Sequence, residues 1–465
     1  MKRLHFIVAI SILVFGFITS MFVLHTPVAN ERSDESFNVL HVLEHLSVIS
    51  EDQHSVFDPE NHETVRLYLK GQLEEYLGSA NVYEMDYPGS ATGDDIDYDI
   101  HNLLGVIEGA NETGIMLVAH YDSRGHIGRS GELGESYGAA DDGYGLGVLL
   151  EIARLYADRD LTNSIYILIT DGEETGLYGA AMAAQETELM SKIGFVINVE
   201  ARGVTGPAVM FETSTNNNIV LDFYRNANYE VSYSLATAVY TVMPNMTDFT
   251  EFLAIGKQGI NFAVLDNLYY YHTPFDNYTN IDPSSIQHYG EQIVPLVEEF
   301  VTNSEYSDVD YFVGTENAVF FTLYSNVFVS YTDTFAQVVH LLLLFVFLGL
   351  VVWMFFKKDL TTKQLLMAFV YIIGLLVLVV LSGLYLSKFI AFVGSVPWNL
   401  TYVRMEGTEL PTVLFMLVFV FGSAYLYNRF IKKPGSRTAF LIAGTFMNLL
   451  LAVLTGYALS GASFL

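Results

Sequence analysis

The chain has 465 residues, of which 52 are acidic and 22 are lysine or arginine, so its formal net charge is -30. A charge of this sign repels nucleic acid, and we expect no nucleic-acid partner. The absence of cysteine excludes disulfide bonds, thiolate zinc sites and cysteine nucleophiles. Apolar residues are concentrated at the two ends of the chain and acidic residues in the middle, which predicts an acidic domain between membrane segments.

Residues 1–30 have the pattern of a membrane anchor. Lys2 and Arg3 precede an apolar run from Leu4 to Leu24 that is long enough to span a bilayer as a helix. A cleaved signal peptide is the alternative, but the run exceeds a usual signal core and no small-x-small cleavage site follows it. We therefore predict an uncleaved anchor with a cytoplasmic amino terminus, because the positive charges precede the span.

Residues 31–303 have the patterns of one soluble α/β domain. The helical spacing of apolar residues predicts helices over Asn38–Leu46, Glu63–Leu77 and Gly143–Ala157. The strand-like segment His101–Glu108 leads through a polar turn into a second strand over Ile115–Ala119. Together these two strands predict a hairpin at the edge of a sheet.

The later part of this domain supplies the centre of the predicted sheet. Ser164–Thr170 and Phe195–Val199 carry no charge, which indicates strands buried on both faces, and Tyr178–Glu188 between them is predicted to be helical. Strands that alternate with helices imply a mainly parallel, twisted sheet flanked by helices, compatible with antiparallel edges. In such sheets ligands bind beyond the carboxyl ends of the strands.

The carboxyl-terminal part is predicted to lie in a membrane. Residues 304–337 form a connector whose run FFTLYSNVFVSY fits either a strand or an interfacial segment. Residues 338–465 contain four long apolar runs, Val338–Phe356, Leu365–Leu386, Leu410–Tyr427 and Ala439–Leu459. With the first anchor they predict about five transmembrane helices. Placing the two basic loops between these runs in the cytoplasm puts the α/β domain outside it, so we expect a multi-pass protein of the cell membrane.

Potential metal ligands stand at the ends of the predicted strands and in one later loop. They are His120, Asp141, Glu173, Glu174, Glu200 and His272. A neutral imidazole at each end of a carboxylate series is what a site for two zinc ions needs, since nitrogen and oxygen ligands suit Zn²⁺ and a carboxylate can bridge two metals.

Each of these residues also has a plainer interpretation. A histidine such as His120 is often structural, but Asp122 projects to the same side of an extended chain, where a carboxylate can accept the second imidazole N–H. Asp141 precedes a helix and fits an N-cap, although the small residues around it also allow a bridging carboxylate.

The remaining acids follow uncharged strands. Of Glu173 and Glu174, one is predicted to ligate metal while its unligated neighbour accepts a proton from the attacking water. Glu200 ends a buried run, and because a buried acid without a partner is costly, a metal ligand is the simplest interpretation.

Five ordered motifs carry a family resemblance. HYDS, AADDGYG, DGEETGLYGA, NVEARG and YYHTPFD together resemble the co-catalytic zinc peptidase family of bacterial leucyl aminopeptidase, glutamate carboxypeptidase II and glutaminyl cyclase. The flanking membrane spans resemble the branch that contains endoplasmic reticulum metallopeptidase and fungal vacuolar membrane protease. The resemblance implies a zinc exopeptidase-like fold and a dinuclear zinc site.

The resemblance also assigns the ligands. It implies that His120 and Glu200 bind one zinc ion. It implies that Glu174 and His272 bind the other, with Asp141 bridging the two. Many aminopeptidases of the family have aspartate where this chain has Glu200, but the longer carboxylate is also an acceptable ligand.

Further roles follow from the same resemblance. Glu173 would be the general base, Asp122 would orient His120, and a cis peptide would join Asp141 to Asp142. Glutaminyl cyclases use a single zinc ion, whereas every position for two is filled here. We therefore rank peptide hydrolysis above cyclisation.

The sequence thus predicts a membrane-anchored zinc exopeptidase that acts on peptides, and the breadth of the family favours an aminopeptidase. A carboxypeptidase and a catalytically silent binding ectodomain are the alternatives. A metal-dependent phosphatase or nuclease ranks lower, because the sequence has no phosphate-binding Gly-rich loop and no basic groove. Asp248 is a candidate for a substrate amine and Arg202 for a carboxylate, with a structural ion pair as the alternative for Arg202. Tyr270, Tyr271 and Arg202 are candidates for stabilising the oxyanion. The sequence does not indicate an oligomeric state.

Overall fold

The computed structural model describes residues 35–93, 96–125, 135–243, 245–324, 327–393, 409–430 and 436–458, together with residues 11, 15, 26–29, 398 and 461. The predicted anchor over residues 1–30 lies almost entirely outside these described residues, as does most of the second basic loop. The chain divides into two compact units, Met1–Asp333 and Thr334–Leu465.

The first unit contains a sheet with helices on both faces. Its helices are α1 (Val39–Ile49), α2 (Pro59–Leu77), α3 (Gly143–Tyr156), α4 (Glu173–Gly176), α5 (Tyr178–Ala183), α6 (Thr187–Met190), α7 (Asn218–Tyr224), α8 (Ser234–Tyr240), α9 (Asp248–Ala254) and α10 (Pro283–Thr302). Its strands are β1 (Val82–Gly93), β2 (Ile96–Ile107), β3 (Asn111–His120), β4 (Asn163–Thr170), β5 (Ile193–Ala201), β6 (Thr205–Thr213), β7 (Gly259–Asp266), β8 (Ala318–Tyr324) and β9 (Val327–Thr332).

Seven strands form one mixed sheet in the order β1-β2-β4-β3-β5-β7-β6. The central strands β4, β3, β5 and β7 run parallel to one another, whereas β1, β2 and β6 pair antiparallel at the edges. The α/β class is confirmed, although this sheet contains as many antiparallel strand pairs as parallel ones among its described strands, three of each. Every residue of β4 and of β5 is buried, so the prediction of central strands is also confirmed.

The predicted hairpin between the second and third strands is wrong, because β4 lies between β2 and β3. The polar turn does not close a two-strand ladder. Instead, the backbone N–H groups of Ala110 and Asn111 donate to the carbonyl oxygens of Leu161 and Thr162, just before β4 begins. The turn therefore crosses the start of β4, and this uncharged strand gains a neighbour on each side.

Alternate residues of the central strands fill two apolar layers. Ile165, Ile167 and Ile169 of β4 pack in the core shared with α1, α2, α3 and α10. Tyr166 and Leu168 face the other cluster, with residues of α5 and α9. This division follows from the two-residue repeat of a strand, and it places the sheet between two apolar layers.

Two predicted segments differ in detail. The helix predicted over Tyr178–Glu188 is broken into α5 and α6, and the turn between them lets Met190 pack into the second apolar cluster. The run FFTLYSNVFVSY forms the antiparallel pair β8 and β9, with Phe320 and Phe328 in the main core.

The second unit is helical. It contains α11 (Asp333–Phe356), α12 (Thr362–Val393), α13 (Glu409–Phe430) and α14 (Ser436–Ala458), and small residues of α12 and α14 pack together. Among the described residues, three helices are long and apolar enough to cross a membrane: Asp333–Phe356, Thr362–Val393 and Arg437–Ala458. The number of about five therefore stays a prediction.

Candidate metal centre

His120 ends β3 and is buried. Its Nδ1 lies 2.9 Å from the carbonyl oxygen of Asp122, which can only accept, so Nδ1 carries a proton. In the neutral ring, Nε2 then keeps the lone pair that a metal ion would take. Burial alone would lower the pKa of His120, but the carboxylates of Asp122 and Asp141 raise it overall.

The Asp122 carboxylate has a different position from the predicted one. Its Oδ1 lies 3.5 Å from Nδ1 of His120, farther than the carbonyl oxygen of the same residue. The two carboxylate oxygens instead accept the backbone N–H groups of Glu173 and Glu174, at 3.0 and 3.1 Å. Asp122 therefore holds His120 through its backbone and the turn after β4 through its side chain.

Asp141 lies in the loop before α3, and its peptide bond to Asp142 is cis, as the resemblance implied. Its Oδ1 lies 3.4 Å from Nε2 of His120, and its Oδ2 lies 3.2 Å from Nε2 of His272. The N-cap role belongs instead to Asp142, whose side chain accepts the N–H of Gly145. The Asp141 carboxylate is thus left to face two imidazoles.

The two glutamates after β4 sit on the short helix α4. Gly172 allows this sharp turn because its φ of 69° is in the left-handed region, where glycine has no Cβ clash. Glu174 is buried, and its Oε1 lies 2.9 Å from Nε2 of His272. Glu173 is partly exposed as a residue. Desolvation of its carboxyl group and the charge of Glu200 raise its pKa well above the usual value.

Glu200 is buried near the carboxyl end of β5. Its Oε1 accepts an N–H of Asn198 at 3.2 Å, and its backbone carbonyl accepts the hydroxyl of Tyr289 at 2.6 Å. Burial raises the pKa of Glu200 to about 8, because the carboxylate is far from water.

The predicted ligands come together as two groups that share one carboxylate. One group is His120, Asp141 and Glu200, and the other is Asp141, Glu174 and His272; the ligand atoms within each group lie within 4.8 Å of one another. Among the described residues, four buried ligand atoms have no hydrogen-bond partner: Nε2 of His120, Oδ2 of Asp141, Oε1 of Glu174 and Nε2 of His272. Buried nitrogen and oxygen atoms left without partners fit the donor set that Zn²⁺ prefers.

Three supporting residues were missed by the sequence analysis. The Asp276 carboxylate accepts the N–H groups of Ala140 and Asp141 at 2.7 and 3.2 Å, which fixes the loop that carries the shared carboxylate. Arg124 donates to Oε2 of Glu174 at 3.1 Å. Asp276 stands inside the motif YYHTPFD and was open to recognition, but the partner of Arg124 is remote in sequence, as is that of Tyr289.

A family model described as Peptidase family M28 matches residues 102–297. A Schizosaccharomyces pombe protein provisionally named endoplasmic reticulum metallopeptidase 1 is 28% identical over 240 residues, which cover 50% of this chain and 28% of that protein. The vacuolar membrane protease of Candida albicans strain SC5314 is 30% identical over 209 residues, or 43% of this chain and 23% of that protein. The matched segments thus span about a quarter of the length of these relatives: 28% of the Schizosaccharomyces pombe protein and 23% of the Candida albicans protein.

Solved structures also resemble the chain at low sequence identity. A Zn-dependent exopeptidase from Parabacteroides distasonis has a TM-score of 0.46 at 19% identity, covering 56% of this chain and 98% of that chain. The aminopeptidase of Aneurinibacillus sp. strain AM-1 has a TM-score of 0.45 at 12% identity, covering 58% of this chain and 96% of that chain. The resemblance found in the five motifs is confirmed by the family model: residues 102–297 of this chain match peptidase family M28.

Proposed function

We propose that the protein is a membrane-anchored, zinc-dependent exopeptidase, in first place an aminopeptidase, with a dinuclear zinc site. The observation that supports this most is the pair of ligand groups that share Asp141. A carboxylate between two imidazole-bearing groups is an arrangement that suits two metal ions held close together. The family match and the names of the relatives support hydrolysis of peptide bonds.

In this proposal the ligands divide as the two groups do. His120 and Glu200 hold one ion, and Glu174 and His272 hold the other, with Asp141 as the shared ligand. Asn198 and Arg124 donate to the Glu200 and Glu174 carboxylates and so fix the oxygen atoms that remain for metal.

Zinc, when bound, supplies the Lewis acidity that makes water a nucleophile at neutral pH and polarises the peptide carbonyl. Glu173 accepts a proton from the attacking water, and a raised pKa suits this task. As the hydroxyl adds to the carbonyl carbon and the C–N bond breaks, Glu173 delivers that proton to the leaving amine. Asp122 positions the base, because its carboxylate holds the backbone N–H of Glu173.

The membrane arrangement is part of the same proposal. Residues 1–30 would anchor the chain, residues 31–303 would form the peptidase domain outside the cytoplasm, and residues 304–337 would connect it to the membrane region 338–465. The three apolar helices of the second unit support this arrangement. We propose the cell membrane as the location, whereas the relatives are named for the endoplasmic reticulum and the vacuole.

The test is hydrolysis of a panel of aminoacyl and carboxyl-terminal reporter peptides by the full chain in detergent, with zinc and with a chelator. Bound metal is measured in parallel for the wild type, Glu173→Gln and the exposed control Glu188→Gln. We expect zinc-dependent turnover that falls about 10²- to 10⁴-fold in Glu173→Gln while bound zinc is unchanged. The control should resemble the wild type.

Two results would contradict the proposal in different ways. Two bound zinc ions without turnover on any peptide would favour the alternative of a binding ectodomain. A folded protein that binds no zinc would remove the site assignment itself.

A further inference from the structure

Arg202 lies beside the candidate metal centre. It follows Glu200 by two positions, directly after β5 ends at Ala201, and its backbone N–H donates to the carbonyl oxygen of Val264 at 3.0 Å. Its Nη2 donates to the hydroxyl of Tyr240 at 3.3 Å and to the carbonyl oxygen of Met246 at 3.4 Å. The guanidinium carbon lies 5.6 Å from the ring centroid of Tyr240 and 5.7 Å from that of Tyr271.

The aromatic contacts join Arg202 to a metal-type ligand. The ring of Tyr271 stacks on the imidazole of His272, with centroids 3.6 Å apart and planes at 24°. His272, Tyr271, Arg202 and Tyr240 therefore form a row of stacked groups that leads away from the centre. The guanidinium of Arg202 is thus separated from a candidate metal ligand by one aromatic ring.

Among the residues that the structure describes, no carboxylate forms an ion pair with the guanidinium of Arg202. Each of the five other arginines described in the first unit forms an ion pair with an acidic side chain: Arg66, Arg124, Arg154, Arg159 and Arg225. Within the same described part, Arg202 forms none, and its buried Nε has no hydrogen-bond partner. The structural ion pair considered for Arg202 is therefore not present there.

The neighbouring acids are engaged elsewhere. Glu212 is buried and accepts an N–H of Asn261 at 3.0 Å, and burial raises its pKa to about 7, which favours the neutral form. Glu200 belongs to a metal group. A cation whose guanidinium keeps donors beyond those bonded to Tyr240 and Met246, next to the candidate metal centre, is suited to an anionic part of the substrate.

The residues near Arg202 differ in exposure and charge. Val242, Met243 and Met246 expose apolar side chains on the segment whose backbone contacts Arg202. In contrast, Asp248, the candidate for a substrate amine, is 1% exposed and accepts the hydroxyl of Thr170. Arg202 is thus a partly exposed cation with apolar side chains close by.

We propose that Arg202 binds a carboxylate of the peptide substrate, so that the enzyme prefers short peptides whose anionic group reaches the end of β5. The inference rests on the proposed peptidase function and names its substrate class. A guanidinium can hold a carboxylate through two parallel N–H···O bonds, which lysine cannot do. The free carboxyl terminus of a short peptide and an acidic side chain offer the same chemistry, and the test separates them.

The experiment uses the zinc-loaded full chain in detergent and three dipeptides: Leu-Leu, Leu-Leu amide and Leu-Glu amide. We expect Leu-Leu to exceed its amide about 10- to 100-fold in kcat/KM, since a charge-assisted hydrogen bond contributes that much. Arg202→Gln should remove this ratio mainly through KM, and Arg202→Lys should restore part of it. Arg225→Gln, which removes another arginine with an aromatic neighbour, should leave the ratio unchanged.

A binding measurement gives a second readout without turnover. Calorimetry of Leu-Leu and its amide with Glu173→Gln, and with Glu173→Gln/Arg202→Gln, should show that the preference for the acid needs Arg202. If Leu-Glu amide is also favoured in an Arg202-dependent way, the source of the carboxylate includes acidic side chains.

Three outcomes would overturn the inference. Equal kcat/KM for the acid and the amide in the wild type, with zinc-dependent turnover intact, would contradict it while leaving the proposed function standing. A loss of kcat and of bound zinc in Arg202→Gln that is the same for both peptides would make Arg202 a structural counter-charge. Absence of both hydrolysis and binding would overturn the proposed function as well.

Discussion

Adjacent acids in this protein have separate tasks. The Asp141 side chain faces His120 and His272, whereas the Asp142 carboxylate accepts the N–H groups of His120 and Gly145 and so links β3 to α3. Burial raises the pKa of Asp142 well above the usual value. Two residues of one type therefore differ through the atoms that surround them.

This difference predicts unequal effects of two matched substitutions. Asp141→Asn removes the shared carboxylate, and we expect the number of bound zinc ions to fall from two to one or fewer. Asp142→Asn keeps an oxygen that can cap α3, so most of the zinc should remain. Metal analysis of the purified variants checks both, and equal zinc in Asp141→Asn and the wild type would contradict a bridging role.

A second prediction concerns Glu212, whose pKa burial raises to about 7. The unfolded chain releases this proton near pH 4.5 and the folded chain only near pH 7, so the contribution to stability is complete below pH 4.5 and lost as the pH rises to 7. The loss amounts to about 3 kcal/mol. Glu212→Gln should therefore melt at a higher temperature than the wild type above pH 7 and lose that advantage at pH 4.5.

Thermal melting of the full chain in detergent across this range checks the sign. Glu188→Gln is the control, since the Glu188 side chain is 91% exposed. A melting difference between Glu212→Gln and the wild type that did not change with pH would show that Glu212 is ionised in the folded protein.

The residues that the sequence could identify are those whose type is restricted by chemistry. Histidine and acid at the ends of uncharged strands indicate metal, because few other partners make a buried acid stable. The roles of Asp122 and Asp276 depend on distances to backbone N–H groups far along the chain. No local pattern encodes such contacts, so the three-dimensional structure is needed to find them.

At the scale of elements, the buried strands were predictable and their order was not. β4 carries no charge and β5 carries none before Glu200, and this composition indicates burial on both faces. The neighbours of a strand, however, depend on pairing between distant segments, and local turn residues suggested a hairpin that β4 interrupts. β1 was not predicted, because its sequence VYEMDYPGSATG contains proline and glycine, which are typical breakers.

The close packing of β5 against β7 yields a third prediction. A Cβ on Gly259 would lie 2.2 Å from the carbonyl oxygen of Val196, whereas a Cβ on Gly71 in α2 would meet nothing within 4 Å. Gly259→Ala should destabilise the protein by about 1–3 kcal/mol, because backbone atoms cannot move aside cheaply. Gly71→Ala should stabilise it by about 1 kcal/mol through higher helix propensity. Melting temperatures of the two variants check the opposite signs.

At the scale of the whole molecule, the chain joins an acidic α/β unit to a helical unit with three apolar helices. The hydrophobic runs and the acidic residues occupy different parts of the sequence, and the domain bounds drawn from them stay a prediction. The orientation across a membrane rests on the basic loops and stays a prediction.

The absence of native cysteine makes that orientation directly testable. A single cysteine at Glu188, in the first unit, should react with a membrane-impermeant maleimide in intact cells. A single cysteine at Lys358, after α11, should react only once the membrane is permeabilised. Labelling of Lys358→Cys and protection of Glu188→Cys in intact cells would reverse the proposed topology.

The spacing of the metal-type ligands along the chain has a consequence for biosynthesis. They begin at His120 on β3 and end at His272 beyond β7. Both ligand groups include Asp141, and one of them also needs His272. A nascent chain that stops before residue 272 has no complete pair of groups. All seven strands of the main sheet precede residue 272, so the second ligand group can be completed only after the whole of that sheet has been synthesised.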